Sequence, residues 1–100
     1  MPENENYKYL ARIMKALAHP SRLLILDRLR EREHCVCELR DAIGADISTV
    51  SRHLAVLREA GIIDSRKQNN QVFYSLIFSC VLDACKCVLE HKVPQTRSRK

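Results

Sequence analysis

Turn-forming and aromatic residues are scarce in this chain: its 100 residues include two Gly, three Pro, two Phe, three Tyr and no Trp. So little Gly and Pro excludes collagen-like repetition, and an apolar share of 46% excludes a chain too polar to fold. With aromatics at 5%, a core must rest on Leu, Ile, Val and Ala. No apolar run approaches the roughly 18 residues that a membrane-spanning helix needs, so no membrane association is expected. Met1 to Asn6 is polar and acidic, with no apolar stretch behind it. No signal peptide is therefore expected, and the expected location is cytoplasmic. Five cysteines cannot all pair within one chain. In a reducing cytosol they are more often core filler, metal ligands or redox thiols than structural disulfides.

What is present is positive charge and helical periodicity. Seventeen Lys and Arg against twelve Asp and Glu give a formal charge of +5, which points first to nucleic acid. Leu10, Ala11, Met14, Leu17 and Ala18 recur at helical spacing over Lys8 to Ala18. Pro20 can open a second helix at its first position, with Leu23, Leu24, Leu26 and Leu29 apolar. A short third helix is predicted over Cys35 to Ile43, with Val36, Leu39, Ala42 and Ile43 inward and Gly44 as a left-handed cap. Ser48 is the expected N-cap of a fourth helix, Thr49 to Ala60, closed by Gly61. In it Val50, Leu54 and Leu57 face inward, and Thr49, Arg52, His53 and Val56 are expected on the opposite face.

After Gly61 the period shortens. Ile63 to Lys67 alternates, Gln71 to Leu76 is rich in strand formers, and Gln68-Asn69-Asn70 between them suits a tight turn, so a β-hairpin is predicted. A last helix, about Phe78 to His91, carries Phe78, Val81, Leu82, Cys85, Val88 and Leu89 on one stripe and stops before Pro94. The expected organisation is a disordered segment 1–6, one domain over 7–92 and a basic disordered tail over 93–100. The fold class is mainly α with a β-hairpin: a winged helix-turn-helix, with the first and last helices finishing a core or meeting a second copy of the chain. A dimer is expected.

Three motifs carry a family resemblance. Ala16 to Leu26, containing His19-Pro20-Ser21-Arg22-Leu23, resembles the opening signature of the ArsR/SmtB family of metal- and metalloid-responsive repressors. Ile47 to Ile63 is similar to its helix-turn-helix core, and Cys35-Val36-Cys37-Glu38-Leu39 resembles its metal-binding box. With the hairpin ending Val72 to Leu76, the resemblance covers roughly residues 7 to 91. It implies a homodimeric winged helix that represses transcription until an inducer releases it from operator DNA.

The residues support a DNA-reading surface independently. Short polar and basic side chains near the start of a recognition helix reach base edges and phosphates in the major groove, and Ser48, Thr49, Ser51, Arg52 and His53 provide them. In the hairpin, Arg66, Lys67, Asn69, Asn70 and Gln71 are candidates for backbone or minor-groove contact. Paired recognition helices would read double-stranded DNA as an inverted repeat.

Cys35 and Cys37 form the sharpest chemical hypothesis, because thiolates are soft ligands suited to As(III), Sb(III), Cd(II) or Zn(II). Residues i and i+2 do not share a helical face, so both sulfurs on one ion require distortion of the third helix. In the arsenic-sensing form of the box a third Cys follows the Leu; here Arg40 stands there. Cys80, Cys85, Cys87 or an exogenous thiol are the alternatives, and His34 is a poor partner for As(III). Four-thiolate cadmium and lead sites of some relatives use an N-terminal arm, but residues 1–34 contain no cysteine. In the last helix Cys85 sits in the apolar stripe, whereas Cys80, Cys87 and His91 project elsewhere. Counted against zinc-sensing relatives, Cys80 and His91 fall on histidine positions, but Phe78 and Pro94 stand where the carboxylates would be. A thiol-redox or persulfide sensor joining Cys35 or Cys37 to Cys80 or Cys87 is the alternative on the same fold, as is a Zn(II) or Cd(II) sensor using the last helix. No Cys-x-x-Cys motif, Gly-rich phosphate loop or carboxylate pair supports an enzyme.

Overall fold

A computed structural model of the chain describes residues 3–92. The elements run α1 (Glu3–Leu17), α2 (Pro20–Glu31), β1 (His34–Cys35), α3 (Val36–Ile43), α4 (Ile47–Glu59), β2 (Ile63–Gln68), β3 (Gln71–Leu76) and α5 (Cys80–Glu90). The expected tail over 93–100, with Pro94, lies outside the described residues, as do Met1 and Pro2.

His19 and Pro20 set the first corner. His19 is extended, and its ring Nδ1 accepts the Ser21 amide at 3.1 Å, capping α2, while Pro20 takes the first helical position where no amide is needed. The helix before this corner is longer than expected. Residues 3–6, read as part of a disordered segment, form the first turns of α1. Nothing between Glu3 and Leu17 breaks a helix, and Glu5 pairs with Lys8 at 4.0 Å one turn on.

α2 is rotated from its expected phase. Ile25, Leu26 and Leu29 are buried, Leu24 is half-buried and Leu23 is exposed. α3 begins one residue later than predicted, because Cys35 is held in β1 and serves as the cap, its amide donating to the Glu38 carboxylate at 3.1 Å. Gly44 ends α3 with φ 78°, its amide donating to the Arg40 carbonyl at 2.8 Å. α4 then starts at Ile47 with Asp46, not Ser48, as its N-cap. Asp46 closes no cap hydrogen bond of ordinary geometry, but the Thr49 hydroxyl and, more weakly, the Thr49 amide hold its carboxyl below the usual range.

The hairpin forms as predicted. Asn69 and Asn70 both have positive φ, 52° and 68°, so the two-residue turn is of the primed type that matches strand twist. All three strands pair antiparallel in the order β1-β3-β2. β1 has no counterpart in the sequence reading: two residues carry no alternation, and only pairing of His34 with Tyr74 and Cys35 with Phe73 defines them.

The core is aliphatic. Ile25, Leu26, Leu39, Val50, Leu54, Leu57, Ile62 and Ile63 are fully buried, joined by Ile13, Ala16 and Leu17 of α1 and Leu82 of α5. α5 starts at Cys80, two residues later than predicted. Only its first half reaches the core, for Val88 and Leu89 are 69% and 67% exposed. Leu10 and Met14 of α1 are also exposed. Of the stripe expected in α1 only Leu17 is buried, Leu10, Ala11, Met14 and Ala18 being exposed, because the helix turns Ile13, Ala16 and Leu17 to the core; the α5 stripe is covered only in its first half. Among the described residues no helix is long and apolar enough to cross a membrane.

Candidate nucleic-acid interface and thiol segment

α3, the Gly44–Asp46 turn and α4 form a helix-turn-helix whose second helix turns a polar edge outward. Ser48, Ser51, Arg52 and Ala55 are exposed, and Thr49 is half-buried. With Asp46 at the cap, Ser48 lies inside the first turn and keeps its hydroxyl for outside contacts. A short-side-chain first turn followed by Arg52 is what close approach to base edges and phosphates needs.

His53 is not on that edge. It is 7% exposed, and Val50, His53, Leu54 and Leu57 follow the i, i+3, i+4, i+7 spacing of the core-facing stripe. Val56, also expected outward, is half-buried and packs against the core. His53 Nδ1 accepts from Arg22 Nε at 3.2 Å, so the neutral ring carries its proton on Nε2. Arg22 also donates from Nη1 to the Ala16 carbonyl at 3.1 Å, and the His19 and His53 rings lie 4.3 Å apart. Burial, followed by the charges of His19, Arg22 and Arg52, holds the His53 pKa below the ordinary histidine value. His19, Arg22 and His53 therefore join the end of α1, the start of α2 and the recognition helix. His19 and Arg22 had no role in the sequence reading beyond family resemblance. Only the spacing of His53 from Val50 and Leu57 signalled that it turns inward.

In the hairpin, Lys67, Asn69, Asn70 and Gln71 are exposed, the two asparagines also supplying the turn's backbone. Arg66 is engaged within the chain. Its Nη2 and Nε donate to the Glu33 carboxylate at 2.6 and 3.0 Å, its Nη1 donates to Gln68, and the guanidinium lies 5.2 Å from the Phe73 ring centre. The Arg66 hydrogen bonds hold the Glu33 carboxyl below its ordinary range.

The thiol segment lies against this wing. Cys35 is 8% exposed and Cys37, in the first turn of α3, is exposed. Cys35 and Arg66 are both directly opposite Phe73, so the three side chains share one face of the sheet. Tyr74, on the other face, packs against the core. Cys35 is thus buried beneath the wing, outside the main aliphatic cluster. Glu38 accepts from the Cys35 amide and from both Nη atoms of Arg32 at 3.1 and 3.3 Å; Arg32 first, then that amide, lowers its pKa. His34 is buried on the other face, its Nδ1 donating to the Arg32 carbonyl at 2.9 Å. Arg40, where the third thiol of an arsenic-type box would be, lies 3.6 Å from Asp41.

α5 leans on α2 through Arg30 and Asp83 at 2.7 Å. Cys80 and Cys87 are exposed, and His91 donates from Nδ1 to the Cys87 carbonyl at 2.9 Å. Cys85 is half-buried and lines a groove of about 600 Å³ with Leu23, Leu24 and Asp27 of α2. Among the described residues, no three His, Cys, Asp or Glu side chains come together to hold a metal ion.

This helix-turn-helix and the first residues of the wing are matched, over residues 19–65, by the family described as bacterial regulatory protein, arsR family. An uncharacterized HTH-type transcriptional regulator of Methanocaldococcus jannaschii is 38% identical over 87 residues, covering 86% of this chain and 98% of that one. The chain belongs to the ArsR/SmtB family of transcriptional regulators. The crystal structure of the transcriptional repressor BigR from Xylella fastidiosa matches with a TM-score of 0.75 and 33% identity, covering 95% of this chain and 100% of that chain. The solution structure of a homodimeric winged helix-turn-helix DNA-binding domain from Mycobacterium bovis, a possible ArsR-family regulator, matches with a TM-score of 0.75 and 27% identity over 95% of this chain and 96% of that one. This ArsR/SmtB chain spans 59–62% of the length of several longer relatives. The winged helix-turn-helix expected from the sequence is the fold observed. The names of these relatives are those of transcriptional regulators and a DNA-binding domain, not of enzymes.

Proposed function

We propose that this ArsR/SmtB chain is a homodimeric repressor that binds an inverted-repeat operator through α4 and the wing. Release follows when As(III) or Sb(III) is bound by the thiolates of Cys35 and Cys37. One observation carries the reading: Cys35 is at once the strand partner of Phe73 in the wing and the cap of α3. Cys37 lies two residues on, inside the helix, so bringing both sulfurs to one ion draws Cys35 out of its strand or unwinds the first turn of α3. Either movement disturbs the wing, the recognition helix's neighbour, or both. Soft thiolates favour a thiophilic metalloid over oxygen-seeking cations. Two thiolates leave room for a third from a partner copy or an exogenous thiol.

The dimer is supported by the exposed Leu10, Met14, Val88 and Leu89 on the first and last helices and by the homodimeric M. bovis relative. Two copies of α4 would then meet successive major grooves about one helical turn or a multiple apart. In this reading Ser48, Thr49, Ser51 and Arg52 contact the major groove, and Lys67, Asn69, Asn70 and Gln71 the flanking DNA. His53 has no direct part.

The test titrates As(III), Zn(II), Cd(II) and the thiol oxidant diamide separately into the protein bound to a labelled promoter fragment, following release by fluorescence anisotropy. As(III) is expected to release the DNA, and Cys35→Ser or Cys37→Ser to leave the repressor bound at the same As(III) concentration. Release by diamide without As(III) would transfer the thiols to a redox switch. Release by Zn(II) or Cd(II) first, abolished by Cys80→Ser or Cys87→Ser, would move sensing to α5.

A further inference from the structure

An arginine on the wing of a basic DNA-binding domain is ordinarily read as a ligand for phosphate. Arg66 is arranged otherwise. Two of its nitrogens meet both oxygens of Glu33, a third meets Gln68, and its flat face lies over Phe73. A two-pronged carboxylate contact is the strong, direction-fixing form of an arginine pair. Glu33 is 33 residues away in sequence and stands immediately before β1. The pair therefore ties the middle of β2 to the segment that bears Cys35.

This tie has mechanical work to do. The hairpin joins the third strand through only two residue pairs, His34 with Tyr74 and Cys35 with Phe73. So short a ladder does little to fix the tilt of strands that run on to an exposed turn at Asn69 and Asn70. The side chains of Arg66 and Glu33 are 51% and 38% exposed, so the pair adds little to overall stability. Its contribution is direction. Lys67, exposed on the opposite face of β2, is the cation left to meet DNA.

We propose that Glu33 is a positioning residue for DNA binding. The Glu33–Arg66 pair persists in the complex and sets where the wing lies, so Arg66 neutralises no phosphate. The inference rests on the reading of the chain as a promoter-binding repressor.

The experiment compares wild type, Arg66→Glu, and the exchange Glu33→Arg with Arg66→Glu, which keeps net charge and rebuilds the pair in reverse. Each full chain is titrated against a fluorescein-labelled duplex from upstream of its own coding sequence, between about 50 and 200 mM salt. Arg66→Glu is expected to weaken binding about tenfold. The exchange is expected to return it to within about threefold of wild type, with an unchanged slope of log affinity against log salt. A phosphate-binding Arg66 would leave the exchange as weak as the single variant, with a slope smaller by about 0.9. That result, or wild-type affinity in Arg66→Glu, overturns the proposal. Matching far-UV circular dichroism spectra would show that the variants fold alike. A wild-type chain that binds no duplex at any salt would overturn the promoter-binding reading itself.

Discussion

His53 combines a buried ring, an arginine donor and a histidine neighbour at the side of the recognition helix. Burial is the largest cause of its lowered pKa, with the positive charges of His19, Arg22 and Arg52 acting in the same direction. Protonation at Nδ1 would replace an acceptor by a donor facing Arg22. The folded chain therefore takes up this proton less readily than the unfolded chain, whose histidine titrates near 6.5. Linkage gives the sign: the contribution is complete above about pH 6.5 and is lost as pH falls from there through the folded value. Thermal midpoints measured from pH 7.5 down to 5 should fall, and His53→Gln should flatten that fall. An equal fall in the variant would remove His53 as the source. From the sequence His53 is expected on the outward face; its i+3 spacing from Val50 fits the buried stripe instead, and its partner Arg22 lies 31 residues away, beyond the reach of local pattern.

At the scale of elements, α4 stands on one stripe. Val50, Leu54 and Leu57 are essentially inaccessible and pack against residues of α2, α3 and the start of β2. Leu54→Ala should cost about 2–5 kcal/mol, the range for a buried Leu truncated where neighbours cannot fully collapse. Urea unfolding would read it as a lower midpoint at unchanged slope. A loss below about 1 kcal/mol would mean that the stripe is not the packed surface described here. Apolar periodicity located this helix, the hairpin and its Asn-Asn turn because each depends on neighbours in sequence. β1 escaped the same reading because two residues acquire strand geometry only from the β3 edge beside them. The α4 cap moved from Ser48 to Asp46 for a related reason. Both residue types cap helices, and the turn after Gly44 decides which stands at the end.

The whole molecule is polarised. α4 and the wing tip present polar side chains outward, while parts of α1 and α5 present Leu10, Met14, Val88 and Leu89. If those apolar side chains meet a second copy, Val88→Glu with Leu89→Glu should shift sedimentation from dimer to monomer. It should also weaken promoter binding at least tenfold, because a monomer loses one of two linked half-site contacts. The folded chain should tolerate both changes, since neither side chain is buried within it. A variant that stays dimeric and binds as tightly as wild type would place the interface elsewhere.

By itself the sequence determined the type of every element but β1, the helix-turn-helix and hairpin order, the aliphatic core of the central helices and the Cys35–Cys37 pair. All of these rest on spacing within about a dozen residues, where periodicity, caps and turn chemistry act. Tertiary structure alone decided that His53 turns inward to Arg22, that Arg66 is held by Glu33, and that Cys35 lies opposite Phe73 on the wing. Each of those relations joins residues more than 30 positions apart. Such contacts form only when packing of the core and strand pairing bring separate elements together, and no local propensity encodes them.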